Sequence, residues 1–166
     1  WGLSKSQERE LINKITTEVN ENLKWDLRAK GLNPNVQVTI VNSQNSADIY
    51  GKARVSRVIV GGTIAESGIS TIGIAQYIDP GNYAMDDQAL VLLDAMSEPS
   101  GPAYSLNTYM NESSDRVAFV SQAVGNVVAH EVGHLIGNYH TNNTNETANL
   151  MDAGGSGFED LFGVGP

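Results

Sequence analysis

The chain has 166 residues, a length suited to one domain that buries its own core, and is 40% hydrophobic and 17% charged, as soluble globular domains are. Its net charge of -9 argues against nucleic acid as a partner, because phosphate contacts need Lys and Arg. It has no cysteine, which excludes disulfides, thiolate metal ligands and a cysteine nucleophile, and no apolar run near the roughly 20 residues that span a bilayer.

The chain opens Trp1-Gly2-Leu3-Ser4-Lys5, with no initiator Met and no signal-peptide pattern, and reads as a mature or excised piece. Residues 4–30 form the first predicted element, a long amphipathic helix. Leu11, Ile15, Val19, Leu23 and Leu27 recur every four positions and make one apolar stripe, which is expected to pack on the domain's own sheet. Ser4 and Gln7 have capping-box spacing, and Gly31 suits the stop.

Strands are expected next. Val36, Val38 and Ile40 alternate with Gln37 and Thr39 as in a half-buried strand. Residues 55–60 make a second strand, closed by Gly61-Gly62. Residues 69–78 make a third, with Ile72 and Ile74 on one face, ended by the turn Asp79-Pro80-Gly81-Asn82. Residues 89–94 are short and strongly apolar, which suits the centre of a sheet. A loop follows at 97–102. Residues 114–136 form the second long helix, with Ser113 or Ser114 as its cap and Asp115 at its positive end. Its buried stripe is Val117, Val120, Val124, Val127 and Val128. These β-branched residues make it a helix that depends on tertiary packing. The order predicts an α+β fold, a mixed twisted sheet with two long helices.

The second helix ends in His130-Glu131-Val132-Gly133-His134-Leu135-Ile136-Gly137-Asn138-Tyr139-His140. Histidines four apart on a helix lie one turn apart on one face, so His130 and His134 can reach one zinc ion. Glu131 is one residue round, where its carboxylate flanks the metal and takes a proton from an attacking water as general base. Gly137 permits a left-handed turn that ends the helix and brings His140 back as third ligand. Three protein ligands leave a fourth position open, the catalytic arrangement. At ordinary residue frequencies, three His, one Glu and one Gly at fixed places would occur by chance in about one such chain in 100,000. All three histidines of the protein lie inside the motif.

This signature, followed by Asn149-Leu150-Met151-Asp152, resembles the metzincins, the zinc peptidases that include astacins, serralysins, adamalysins, matrixins and pappalysins. The resemblance is specific over residues 130–151 and architectural over the residues before them. It implies that Met151 belongs to a Met-turn beneath the zinc. It also implies an active-site cleft between an N-terminal subdomain of about 1–137 and a small C-terminal subdomain of about 138–166 in a single catalytic domain. A peptide substrate would add to an edge strand above the zinc, for which residues 69–78 are the candidate. Thr141 after the third histidine is similar to pappalysin-like and fragilysin-like members, and the residues around Met151 look like peptidase modules of bacterial surface proteins. No Tyr follows Met151, so the tyrosine ligand of astacins and serralysins is absent; no strand precedes the first helix; and residues 158–162 are all that could stand for a C-terminal helix.

The resulting expectation is a zinc-dependent endopeptidase acting on protein or peptide substrates, extracellular or at the cell surface, and monomeric. The alternative is a non-catalytic, zinc-stabilised binding module of a larger surface protein, which the presence of Glu131 argues against. A ligand set of His130, His134 and Glu146 or Glu159 would leave His140 and Gly137 unexplained. Asp79, Asp86 and Asp87 are candidate calcium ligands, weighed against ordinary solvated loop charge. Asp152 is a candidate anchor for the Met-turn or a ligand histidine. Asn111, Asn142 and Asn145 begin glycosylation-like triplets that are read as polar loops.

Overall fold

The computed structural model describes residues 1–29, 31, 37–84, 86–142, 145 and 149–154. Helix α1 spans Lys5–Asn20 and begins on the expected capping box, in which Ser4 and Gln7 each satisfy the other's backbone N–H. A π-helical turn, Glu21–Trp25, and a short helix α2, Asp26–Ala29, prolong it. The expected helix is thus one rod with a wider turn near its end. In that turn Leu23 is buried, while Asn22 Nδ2 donates to Oδ1 of the buried Asn126 at 2.8 Å. Gly31 follows with φ 71°, and its N–H donates to Arg28 O, as expected of a helix stop.

Among the described residues the sheet has three strands in the order β1-β3-β2: β1 is Arg57–Val60, β2 is Gly73–Ala75 and β3 is Gln88–Val91. β1 runs parallel to β3 and β2 antiparallel to it, so the sheet is mixed, with the apolar strand at its centre. Ala89 and Val91 are buried, alternating with half-buried Gln88 and Leu90. The strand expected over 69–78 is much shorter. Gly68, at φ 69°, ends a one-turn helix α3 (Ile64–Ser67), and a tight turn at Ile69–Thr71 delays the pairing. One further bond continues it on each side, Leu92 N–H to Ile72 O and Gln76 N–H to Gln88 O. Residues 37–40 form no strand, and Val36 lies outside the described residues. Ile40 still packs against the core. Another short helix, α4 (Asp94–Ser97), takes over where β3 was expected to continue.

Helix α5, Arg116–Leu135, is capped by Asp115, whose carboxylate accepts from the Ala118 N–H at 3.0 Å. Asp115 takes the cap rather than Ser113 or Ser114. Ser113 donates to Asn111 Oδ1, and Ser114 Oγ accepts from the Asn111 N–H. Fourteen residues of α5 are buried, as expected of a helix covered by α1 on one side and the sheet on the other. Its valines reach the core with Leu11, Val19, Leu23, Val91, Met96 and Leu106.

The two long helices touch at Gly125. A Cβ there would lie 2.5 Å from Glu18 Cβ and 2.6 Å from its Cγ. A Cβ is fixed to the backbone, so only a shift of one whole helix relieves the clash. Gly125→Ala should therefore lower stability by about 1–3 kcal/mol, read from the midpoint of urea unfolding at unchanged slope. An unchanged midpoint would show that α1 slides freely on α5.

Candidate metal centre and its cleft

The last turns of α5 present His130 and His134 on one face, with Glu131 beside them. The helix ends as the motif predicts. Gly137 has φ 100°, its N–H donates to His134 O, and the Asn138 N–H donates to Gly133 O. The same His134 carbonyl also accepts from the Asp79 N–H, so the turn expected at residues 79–82 docks on the helix end. A Cβ on Gly137 would lie 2.5 Å from Pro80 Cα, a second reason for glycine there.

Beyond this turn the chain doubles back and delivers His140. The three Nε2 atoms form a triangle: His130–His134 3.1 Å, His134–His140 3.0 Å and His130–His140 3.2 Å. Two imidazole ligands at about 2.05 Å from one ion, at a tetrahedral angle, stand about 3.3 Å apart. Each side of the triangle is within a few tenths of an ångström of that.

The ring protons point to the same occupant. His130 Nδ1 donates to Leu150 O at 2.6 Å and His134 Nδ1 to Asn138 O at 2.8 Å. A carbonyl oxygen only accepts, so each Nδ1 carries the hydrogen, and in the neutral ring Nε2 is a bare lone pair. Burial holds His130 below the usual histidine range, opposed by its bond to Leu150 and reinforced by His134 and His140. Burial, then His134, lowers His140 as well. Neutral rings with converging lone pairs repel one another unless a cation lies between them. The residues therefore fit a divalent transition metal ion held by three imidazoles. Among the described residues no other set of three histidines or carboxylates gathers closely enough to do so. Asp79, Asp86 and Asp87 are not among the residues that gather in this way, and Asp87 is no solvated loop charge. Its side chain is fully buried, and burial raises its carboxyl above the usual range.

Glu131 is 4% exposed, and its Oε2 has no hydrogen-bond partner. Burial pushes its carboxyl up to about 7, against the lowering effect of the Ala75 backbone N–H. Strand β2 lies directly against it. A Cβ on Gly73 would collide with Glu131 Oε1 and come 2.9 Å from Val127 Cγ1. Sequence reading missed this glycine, since nothing local separates it from any other residue in a short strand.

Residues 149–152 form a tight turn, closed by the Asp152 N–H donating to Asn149 O at 3.0 Å. Met151 is buried against Gly133, where a Cβ would collide with its Sδ. Of the alternative ligands, Glu146 and Glu159 lie outside the described residues.

Histidines, Glu131 and turn all open on one cleft of about 800 Å³. Its upper wall is β2 and its flanks, including Ile72, Ile74, Tyr77 and Ile78, and its inner wall includes Tyr104 and Val127. Among the described residues no Lys or Arg lines it.

An α+β domain with a three-histidine centre set under an edge strand defines the metzincin-like class of metallopeptidase. The family model of Metallo-peptidase family M12B, Reprolysin-like, matches residues 10–141, and the chain belongs to that family. Searches of curated proteins and of solved structures found no match. Family membership makes the chain a zinc-type peptidase in general terms, with proteins as its substrates.

Proposed function

We propose that the chain is a zinc-dependent endopeptidase in which His130, His134 and His140 hold the metal and Glu131 is the general base. The observation that carries this reading is the triangle of converging Nε2 atoms beside a buried carboxylate whose Oε2 has no partner, in an open cleft. The zinc ion, when bound, supplies a Lewis acid that polarises a peptide carbonyl and acidifies water. Glu131 handles the proton. Its carboxylate takes one from the attacking water and returns it to the leaving amine, so one group serves as base and then as acid.

Strand β2 ends the sheet and overhangs the site, which suits an extended peptide bound by backbone hydrogen bonds as a fourth strand. The exposed side chains of Ile74, Tyr77 and Ile78 on that wall, and the absence of cations among the described lining residues, favour peptides with apolar rather than acidic side chains at the cut. The turn at residues 149–152 serves in this reading as the Met-turn, with Met151 as the support beneath Gly133.

The test is mass-spectrometric mapping of cleavage in a diverse peptide library. Zinc-loaded protein should cut internal bonds next to apolar residues, and chelation should abolish the cuts. A folded, zinc-bound sample that leaves every peptide intact would overturn the reading.

A further inference from the structure

The three histidines are not held alike. The rings of His130 and His134 are each fixed by a hydrogen bond from Nδ1 to a backbone carbonyl. His140 is exposed, and among the described residues its Nδ1 has no such bond. Its ring is therefore placed by its backbone, which leaves the site through Thr141.

Thr141 is tied to the turn by backbone and by side chain. Its N–H donates to Met151 O at 2.8 Å, as part of an isolated parallel bridge between Thr141 and Asp152, and its Oγ1 donates to Asp152 Oδ1 at 2.6 Å. Asp152 has a second task. Its Oδ2 accepts from the Asn149 N–H at 2.9 Å, while Asn149 Oδ1 accepts from the Met151 N–H at 3.0 Å. These bonds fix the turn that carries Leu150 O, the acceptor for His130 Nδ1. One carboxylate thus joins the strand bearing the third histidine to the turn that orients the first.

We propose that Asp152 is the positioning residue of the metal centre: through Thr141 it sets the place of His140, and through the turn it sets the ring of His130, so that it governs metal affinity without touching the metal. The alternative role for the same contacts is fold stability alone, and the two roles predict different measurements. A clasp that pre-forms the triangle lowers the ordering cost of binding, so its loss weakens zinc binding, whereas a purely stabilising contact lowers the unfolding midpoint and leaves affinity alone. Partners of this kind, one step behind the ligands, typically change metal affinity by about 10–100-fold.

This inference rests on the three-histidine reading above, and the experiment separates the two. Zinc dissociation constants are measured by competition with a chromophoric chelator, with circular dichroism of the metal-free proteins to establish that each is folded. The wild type should bind one zinc ion. Asp152→Ala should bind it about 10–100-fold more weakly. Thr141→Val, which removes only the hydroxyl, should also weaken binding, Thr141→Ser should restore it, and the Asp152→Ala/Thr141→Val pair should lose less than the two losses combined. A wild type that binds no zinc would overturn the metal site itself. A wild type that binds zinc while Asp152→Ala and Thr141→Val match its affinity would overturn only the positioning role, as would equal losses in Thr141→Val and Thr141→Ser. Where Asp152→Ala does not fold, the Thr141 pair alone decides.

Discussion

Glu131→Gln should lower kcat/KM by about 10²–10⁴-fold, with zinc affinity unchanged. Glutamine keeps the shape of the side chain and an oxygen for the Ala75 N–H, so it removes the proton-accepting function and little else. The same variant has a signature without metal. Burial raises the Glu131 carboxyl from 4.5 to about 7. Between those values the folded state holds a proton that the unfolded state has lost, so stability falls as pH rises. The wild type should lose up to about 3 kcal/mol relative to Glu131→Gln from below pH 4.5 to above pH 7. His130 and His140 act in the opposite sense. Their lowered values mean that stability falls as pH drops through 6.5, but both variants share that and it cancels in the difference. Urea unfolding of both metal-free proteins at pH 5 and pH 8 measures the effect. Wild-type turnover in Glu131→Gln would remove this residue as the base, and parallel pH profiles would show that the carboxyl is solvated.

The sequence was most legible where spacing alone decides geometry. Histidines at positions i and i+4 of a helix share a face whatever surrounds them, so His130 and His134 could be paired from their numbers. Gly137 gave the turn that returns His140, and its φ of 100° is the conformation that turn needs. The apolar residues at 89–91 could be placed in the sheet's centre for a similar reason, since a strand buried there has little room for polar groups. Legibility failed where the deciding partner is far along the chain. The strand at 69–78 kept its apolar pattern, but pairing is limited by where β3 begins and ends, and α4 begins within the range expected of that strand. Asp87 has the composition of a loop and the burial of a core residue, which only the packed chain reveals. Asp152 could be named a candidate anchor, but which histidine it serves follows from Thr141, eleven residues away.

Gly73→Ala should cost about 10²-fold in kcat/KM, because the added methyl takes the place of the Glu131 carboxylate, and displacement of a catalytic group by about 1 Å is enough for such a loss. Glycine here owes nothing to backbone freedom, since Gly73 is not among the residues with positive φ. Its value is the missing side chain, which lets β2 lie on α5 at the base and lets Ala75 offer its N–H to Glu131. The substitution has a second effect. Its Cβ also approaches Val127 Cγ1 to 2.9 Å, so some of any loss could come from the strand lifting off the helix. Val127→Ala separates the two causes. In the Gly73→Ala background it relieves the contact with the helix but leaves Glu131 where the methyl pushed it. Stability should then return in part while kcat/KM, compared with Val127→Ala alone, stays low. Recovery of the rate along with stability would mean that β2 must lie close for the substrate's sake, and that the place of Glu131 tolerates the methyl. A persistent loss ties the edge strand and Glu131 together as one device: under the proposed function, the strand that would receive the peptide also fixes the carboxylate that would move its proton.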